Sequence, residues 1–501
     1  MVRCRCRSDE TPVSPVLALG LAAMTLLSLP APAQEVAGGA LRGTTQPALG
    51  VGPSALGFDA LEPSPGGAGE GAAPSAAATS APVRQPVRPP LADGVRGSVR
   101  SPVYGLAMAA PETPVRRRRR VEDDAFAPLG WRFGGLTLLP AIESGVGYDT
   151  NPNRSSGRHK GSTLLRTEGE LRLKSDWSRH ELVGLLRGAY LDYPDMRRAS
   201  RPTGEGRLDL RLDARRDTEI DLGARFTLDT QRPGSPDLPG SVIDRPIVAT
   251  GGVSAGVVER FNRLSLGLKG SIDRSYYEDA ELAGGGTLDQ GDRNYTQYGL
   301  ALRGGYEVHP GLKPFVEGTI DTRRYDRRID SSGFERDSTG YSLRAGASFE
   351  LTRLVTGEVA VGYQHRTYED ERLEALRGPL VDAAIVWTPT PLTTVRLRGA
   401  TSLDETTVVG ASGLLARRAT LEVEHALRRY LTLTGLLSLQ QNDYDGVPVK
   451  EDTFTGGLRL EWKLTRSLAV RASFTHERLK STTPGSDYTA NVFLLGLRLQ
   501  R

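Results

Sequence analysis

Between Arg207 and Asp229 the chain reads RLDLRLDARRDTEIDLGARFTLD. Leu208, Leu210, Leu212 and Ala214 alternate with Arg207, Asp209, Arg211 and Asp213. After Arg215–Thr218, Ile220, Leu222, Ala224, Phe226 and Leu228 alternate with Glu219, Asp221, Gly223, Arg225, Thr227 and Asp229. Successive side chains of a strand point to opposite faces, so a period of two describes a hairpin with one apolar and one ionic face. The medium against each face decides what the chain folds into.

The same period recurs from Phe126 to the last residue. Leu136, Leu138, Ile142, Val146 and Tyr148 share one face of the first segment, and Leu165–Leu173 forms the next. The pattern continues through segments such as Leu264–Ile272, Val355–His365 and Phe493–Leu499, about eighteen in all on the count from Phe126, with sixteen as the alternative. Each is long enough to cross a bilayer as a strand tilted by roughly 45°. Connections alternate in length. Tight ones include Asp176–Arg179, Arg215–Thr218, Leu351–Arg353 and Arg428–Tyr430; long polar ones include DYPDMRRASRPTGEG and DTQRPGSPDLPGSVIDRP. Short turns on one rim and long loops on the other are the mark of a closed antiparallel transmembrane β-barrel. An even strand number puts both barrel ends on the short-turn rim. A soluble antiparallel sandwich also alternates, but it needs a shared dry core and shows no such loop phase.

Composition agrees with an inside that is not a dry core. Only 38% of the 501 residues are hydrophobic, 58 are Gly and 32 are Pro, and the mean hydropathy is -0.34. Lys and Arg number 64 against 60 Asp and Glu, a near-balance that argues against nucleic acid as a partner, because phosphate binding wants a basic surplus. Residues 1–33 read as a signal peptide: Arg3, Arg5 and Arg7, an apolar run from Val16 to Leu29, then Ala31-Pro-Ala33. Both cysteines, Cys4 and Cys6, precede that run, so the processed chain would have no thiol chemistry. Residues 34–125 are rich in Ala, Gly, Pro and Ser and read as a disordered periplasmic linker, with an Arg116–Arg120 run near its end. The barrel is then residues 126–501.

Two stretches carry a family likeness. FAPLGWRFGGLTLLPAIESGVGYDTNPNR, from Phe126 to Arg154, resembles the start of the putative beta-barrel porin (type 2) family of outer-membrane proteins of Gram-negative bacteria. YTANVFLLGLRLQR is similar to that family's last strand. The resemblance implies outer-membrane insertion and a porin-like role, without a substrate. Outer-membrane lipid and the barrel-assembly machinery would be the partners. A terminal aromatic commonly closes the last strand of such barrels; here the chain ends Gln500-Arg501, and Phe493 is the nearest aromatic in the lipid phase. Aromatics are only 6% of the chain, so interfacial girdles would be thin, with Trp131, Trp177, Trp387 and Trp462 as candidates near the short-turn rim.

If the apolar face meets lipid, the ionic face meets the lumen. By phase the pore-lining candidates are Arg166, Glu168, Glu170, Arg172, Asp209, Arg211, Asp221, Arg225, Asp321, Arg323, Arg344, Arg396, Arg398, Glu422 and Glu424. Lys174, Asp213, Glu219, Glu317, Arg459 and Glu461 share that phase. Rings of charge bias permeation, while cross-strand acid–base pairs brace the wall by about 0.2–1 kcal/mol each. An eighteen-strand barrel is wide enough for an aqueous channel unless something fills it. The loop Tyr276–Asn294, with Gly284-Gly-Gly286, and the Arg116–Arg120 linker are the two segments weighed as fillers. The six histidines are scattered, and no phosphate loop, nucleophile elbow or dinucleotide fingerprint follows a suitable strand. Asn442–Gly446 loosely suggests calcium but lacks an acidic closing residue and reads as a plain turn. No catalytic residue, cofactor or metal ligand set is therefore expected, nor an enzyme. The expected function is passive diffusion of small hydrophilic solutes. Polysaccharide export, and a non-conducting structural or adhesive barrel, are the alternatives. Oligomeric state is not legible.

Overall fold

The computed structural model describes residues 126–501, apart from positions 158, 234, 405, 407 and 409. The expected signal peptide, linker and Arg116–Arg120 run lie outside the described residues.

Eighteen strands follow one another around a closed ring. The first six are β1 (Leu136–Asp149), β2 (Ser162–Ser175), β3 (Glu181–Asp192), β4 (Arg201–Asp213), β5 (Thr218–Thr230) and β6 (Ile247–Phe261). Next come β7 (Leu264–Tyr277), β8 (Tyr295–Tyr306), β9 (Leu312–Tyr325), β10 (Ser338–Thr352), β11 (Val355–Tyr368) and β12 (Leu376–Thr390). The last six are β13 (Thr393–Asp404), β14 (Gly413–Arg428), β15 (Leu431–Asp445), β16 (Lys450–Lys463), β17 (Leu468–Ser481) and β18 (Tyr488–Gln500). Each strand pairs antiparallel with its neighbours in sequence, and β1 closes on β18 from Ala141↔Gln500 to Asp149↔Val492. Closure leaves no edge, so backbone donors and acceptors are satisfied within the sheet, as a hydrocarbon medium requires.

A short strand, Trp131–Phe133, folds back through Gly134-Gly135 and pairs with Leu136–Leu138, the stretch of the β1 edge that β18 does not reach. Gly134 has φ 59, a left-handed conformation that glycine adopts without a Cβ clash. The seam between first and last strands is thereby covered along both parts.

Turns and loops alternate as the sequence implies. Turns of five residues or fewer follow the even-numbered strands, for example 214–217, 262–263 and 391–392. Longer connections, up to the seventeen residues of 278–294, follow the odd-numbered ones except β15, whose connection is 446–449. Three of the tightest turns (353–354, 391–392 and 429–430) are flanked by register shifts at Glu350/Thr352, Trp387/Thr390 and Ala426/Arg428. Such bulges add local twist where a strand must reverse. The expected turn over Asn442–Gly446 is instead the end of β15, whose Asn442 and Asp443 point to opposite faces.

The outward phase is apolar and exposed: Ile142 62%, Leu302 59% and Leu497 55% of their surfaces are bare. A contiguous band of this kind belongs against lipid. Trp131, Trp177, Trp387 and Trp462 stand exposed near the short-turn rim, while Tyr148, Tyr190, Tyr298, Tyr341 and Tyr363 are exposed on the loop half of their strands. These are the two interfacial belts, where an amphipathic ring suits the headgroup layer. The buried apolar clusters are small and sit under loops, such as Leu164, Leu191, Tyr193 and Ala199.

Candidate channel lumen and mouth

All fifteen sequence-nominated lining residues fall on the inward phase of β2, β4, β5, β9, β10, β13 and β14. They do not line a smooth charged tube. Most are tied into ladders running around the wall. In the first, Arg166 bonds Glu168, and Arg187 of β3 reaches Glu168 at 3.2 Å, Glu170 at 2.9 Å and Glu205 at 3.6 Å. Arg172 lies 3.0 Å from Glu170. Across the seam, Arg498 of β18 binds Glu170 at 2.5 Å, and Arg471 of β17 joins Glu143 at 2.8 Å to Glu461 at 2.6 Å. The seam is therefore clamped by charge on its inner side as well as by backbone pairing.

A second ladder spans β8–β12. Arg303 contacts Glu317 at 3.5 Å and Glu358 at 2.7 Å, and Arg344 bonds Glu317 and lies 3.4 Å from Asp382. Glu317 is fully buried between the two arginines. Arg366 bonds Asp321, and Arg323 donates to Gln297 Oε1 at 3.1 Å and to the Leu403 carbonyl at 3.2 Å. On β13–β14, Arg396 holds Glu422 at 2.5 Å and Glu424 at 3.0 Å. On β4–β7, Arg207 pairs with Asp209 at 2.6 Å, Arg211 with Glu181 at 3.4 Å, and Arg225 with Asp273.

Asp221 and Arg398 differ: among the described residues neither makes a hydrogen bond or an ion pair. Arg398 lies in the electrostatic field of Arg207, although β13 and β4 are nine strands apart in a ring of eighteen.

Sequence reading missed Glu143, Arg187, Glu205, Asp273, Arg303, Glu358, Asp382, Arg471 and Arg498, all inward and all ion-paired. Many stand as single charges among small residues, as in LRGAY or LRGGY, so no run of charge announces them. Strand phase alone, carried through every segment, marks them.

The mouth on the loop side is built by a second constellation. In YDTNPNR the Asn151 N–H donates to Asp149 Oδ1 at 2.9 Å, and Asn151 Nδ2 donates to the Ser155 and Thr489 carbonyls at 2.8 and 3.2 Å. Arg154, with φ 55, binds Asp149 at 2.7 Å and Glu477 at 2.8 Å. Tyr193 Oη donates to Asp149 at 2.9 Å, and Tyr488 Oη donates to Glu477. The motif is thus a folded corner fastening the first loop over the β17–β18–β1 junction.

Loop 231–246 leaves β5 and reaches across the ring. Arg232, buried, lies 3.6 Å from Glu451 of β16, donates to the Ser486 carbonyl at 3.4 Å and stacks over Tyr488 of β18 at 5.1 Å. Arg245 donates to the Pro152 carbonyl at 2.9 Å, and Asp237 accepts the Thr406 hydroxyl at 2.5 Å. The loop 278–294, weighed above as a filler, carries the small hairpin Ala280–Glu281/Thr287–Leu288 and supports its neighbour through a Val242↔Leu282 bridge. Three loop carboxylates outside the membrane are held below their ordinary range, while burial raises Asp244. The Gly291 N–H and Arg327 lower Asp289, Arg274 lowers Asp326, and Arg372 with the Glu335 N–H lowers Asp370. Among the described residues no group of three His, Cys, Asp or Glu side chains could hold a metal ion.

The family model described as "Putative beta-barrel porin 2" matches residues 124–501. No curated protein matches. Among solved structures, a BenF-like porin from Pseudomonas fluorescens Pf-5 is 9% identical, with 74% of this chain and 100% of that one covered at a TM-score of 0.39. Acinetobacter baumannii OccAB3 is 12% identical, with coverages of 74% and 100% and a TM-score of 0.38. The siderophore receptor PirA from Pseudomonas aeruginosa is 10% identical, with coverages of 73% and 80% and a TM-score of 0.33.

Proposed function

The chain belongs to the putative beta-barrel porin 2 family of outer-membrane β-barrels, and from that premise we propose that it is a channel for passive diffusion of small hydrophilic solutes. The observation that carries this reading is the inner wall: strand after strand presents charged and hydroxyl side chains inward and apolar ones outward. A hydrophilic interior enclosed by lipid has water and polar solutes as its natural contents. The ladders keep the wall rigid and nearly neutral. Arg398, mid-strand and without an ion pair among the described residues, then biases what passes. Because both ends of the ring lie on the short-turn rim, the segment before Phe126 enters from the periplasm, and the long loops face outward.

Planar-bilayer recording of the purified full chain tests the reading. Discrete steps of ion current that scale with salt concentration are expected. A chain that folds, by its heat-modifiable gel mobility, yet never conducts in any loop-deleted variant would leave a structural barrel.

A further inference from the structure

We infer that loop 231–246 is a gate: a strap lying across the loop-side mouth, held shut by contacts to the far side of the ring and able to swing away. This regulates the channel proposed above and rests on that reading.

The anchors span the mouth. The loop joins β5 to β6, yet Arg232 meets Glu451 on β16, and Asp237 meets Thr406 in the connection between β13 and β14. Those partners are about seven and eight strands away in a ring where nine is the maximum. A loop that merely folded over its own hairpin could not reach them.

The closed position is also held less firmly than a permanent plug. Among the described residues its clustered apolar contact is Leu238 and Val242 packed on Ala280, Leu282 and Leu288 of the neighbouring loop. Gln231 is only 1% exposed, and neither its side-chain oxygen nor its nitrogen has a hydrogen-bond partner among the described residues. Burying an amide without partners costs free energy that water would restore on opening. Polar anchors favour closure while the buried amide opposes it.

The test records open probability of the full chain in planar bilayers at fixed salt. Loss of one hydrogen bond to a charged group changes a two-state equilibrium about tenfold. Arg232→Ala should therefore raise the ratio of open to closed dwell time about tenfold. Gln231→Leu should lower it. A double variant, Asp237→Cys with Thr406→Cys, should be silent when oxidised and conduct after reductant, with the unsubstituted chain controlling for Cys4 and Cys6. Equal open probability in all of these would overturn the gate and leave the channel intact. Silence in every variant, including one with 231–246 replaced by a short Gly-Ser turn, would overturn channel and gate together. Heat-modifiable mobility confirms folding of each variant.

Discussion

Glu317 shows how a single side chain is committed here. Its carboxylate has no exposed surface and lies between Arg303 and Arg344. Deleting it leaves Arg303 with Glu358 alone and Arg344 with Asp382 alone in a buried wall, and breaking a buried pair costs up to about 3–5 kcal/mol. Glu317→Ala should therefore lower the urea midpoint for unfolding from detergent or lipid, read by tryptophan fluorescence. Arg328→Ala, removing an arginine that pairs with Glu335 but is 81% exposed, should leave that midpoint unchanged. The loop carboxylates give a pH signature. Asp289, Asp326 and Asp370 have folded pKa values below their ordinary 3.8, so their contribution is complete above that value and is lost as pH falls through the lowered ones. Loop cleavage by pepsin should stay slow near pH 4 and accelerate only at more acidic pH. Cleavage that is already fast near pH 4 would contradict the pairing. At this scale the sequence was legible in kind: alternation marked Arg166 or Glu422 as inward, but gave no sign of which carboxylate each arginine would take.

Strands are specified by their phase, and substitutions should be read against it. Leu495 lies mid-strand on the outward face of β18 and is 56% exposed. Arginine there would meet hydrocarbon and cost about 2–4 kcal/mol at the bilayer midplane. Leu495→Arg should show that loss in reversible unfolding into urea. The seam offers a sharper case. A Cβ on Gly147 of β1 would stand 2.0 Å from the Phe493 carbonyl oxygen of β18, a backbone atom that cannot rotate away. Gly147→Val should prevent closure and abolish the fast-migrating folded band on unheated gels. A normal folded band would mean that the two strands can part without loss. Strand number, order and the short/long alternation were all readable from period and turn chemistry. The bulges beside 353–354, 391–392 and 429–430 were not, because a register shift depends on the partner strand.

For the molecule as a whole, permeation separates two arginines that sequence treated alike. Arg396 is locked to Glu422 and Glu424, whereas Arg398 has neither a hydrogen bond nor an ion pair among the described residues. Arg398→Glu should shift the reversal potential in a salt gradient toward cations by several millivolts. Arg396→Glu should instead impair folding, because it places a third carboxylate where two already share one guanidinium. A reversal potential unmoved by Arg398→Glu would return that residue to wall bracing. The mouth follows the same logic. Sequence pointed to the glycine-bearing stretch Tyr276–Asn294 as a candidate filler, whereas among the described residues 231–246 reaches Glu451 and Thr406 on the far side. Length and glycine content describe how freely a loop can move, while reach is decided by which partners stand opposite.

Sequence alone determined that this chain has two faces, that one suits lipid, and that its strands close into a ring with short turns on one rim. The reason is that alternation and turn chemistry are local and repeat some eighteen times without contradiction. Tertiary structure decided which charges meet, which wall faces which, and which loop lies over the mouth. Those depend on residues far apart in the chain, such as Arg498 and Glu170 or Asp237 and Thr406, brought together only when the ring closes.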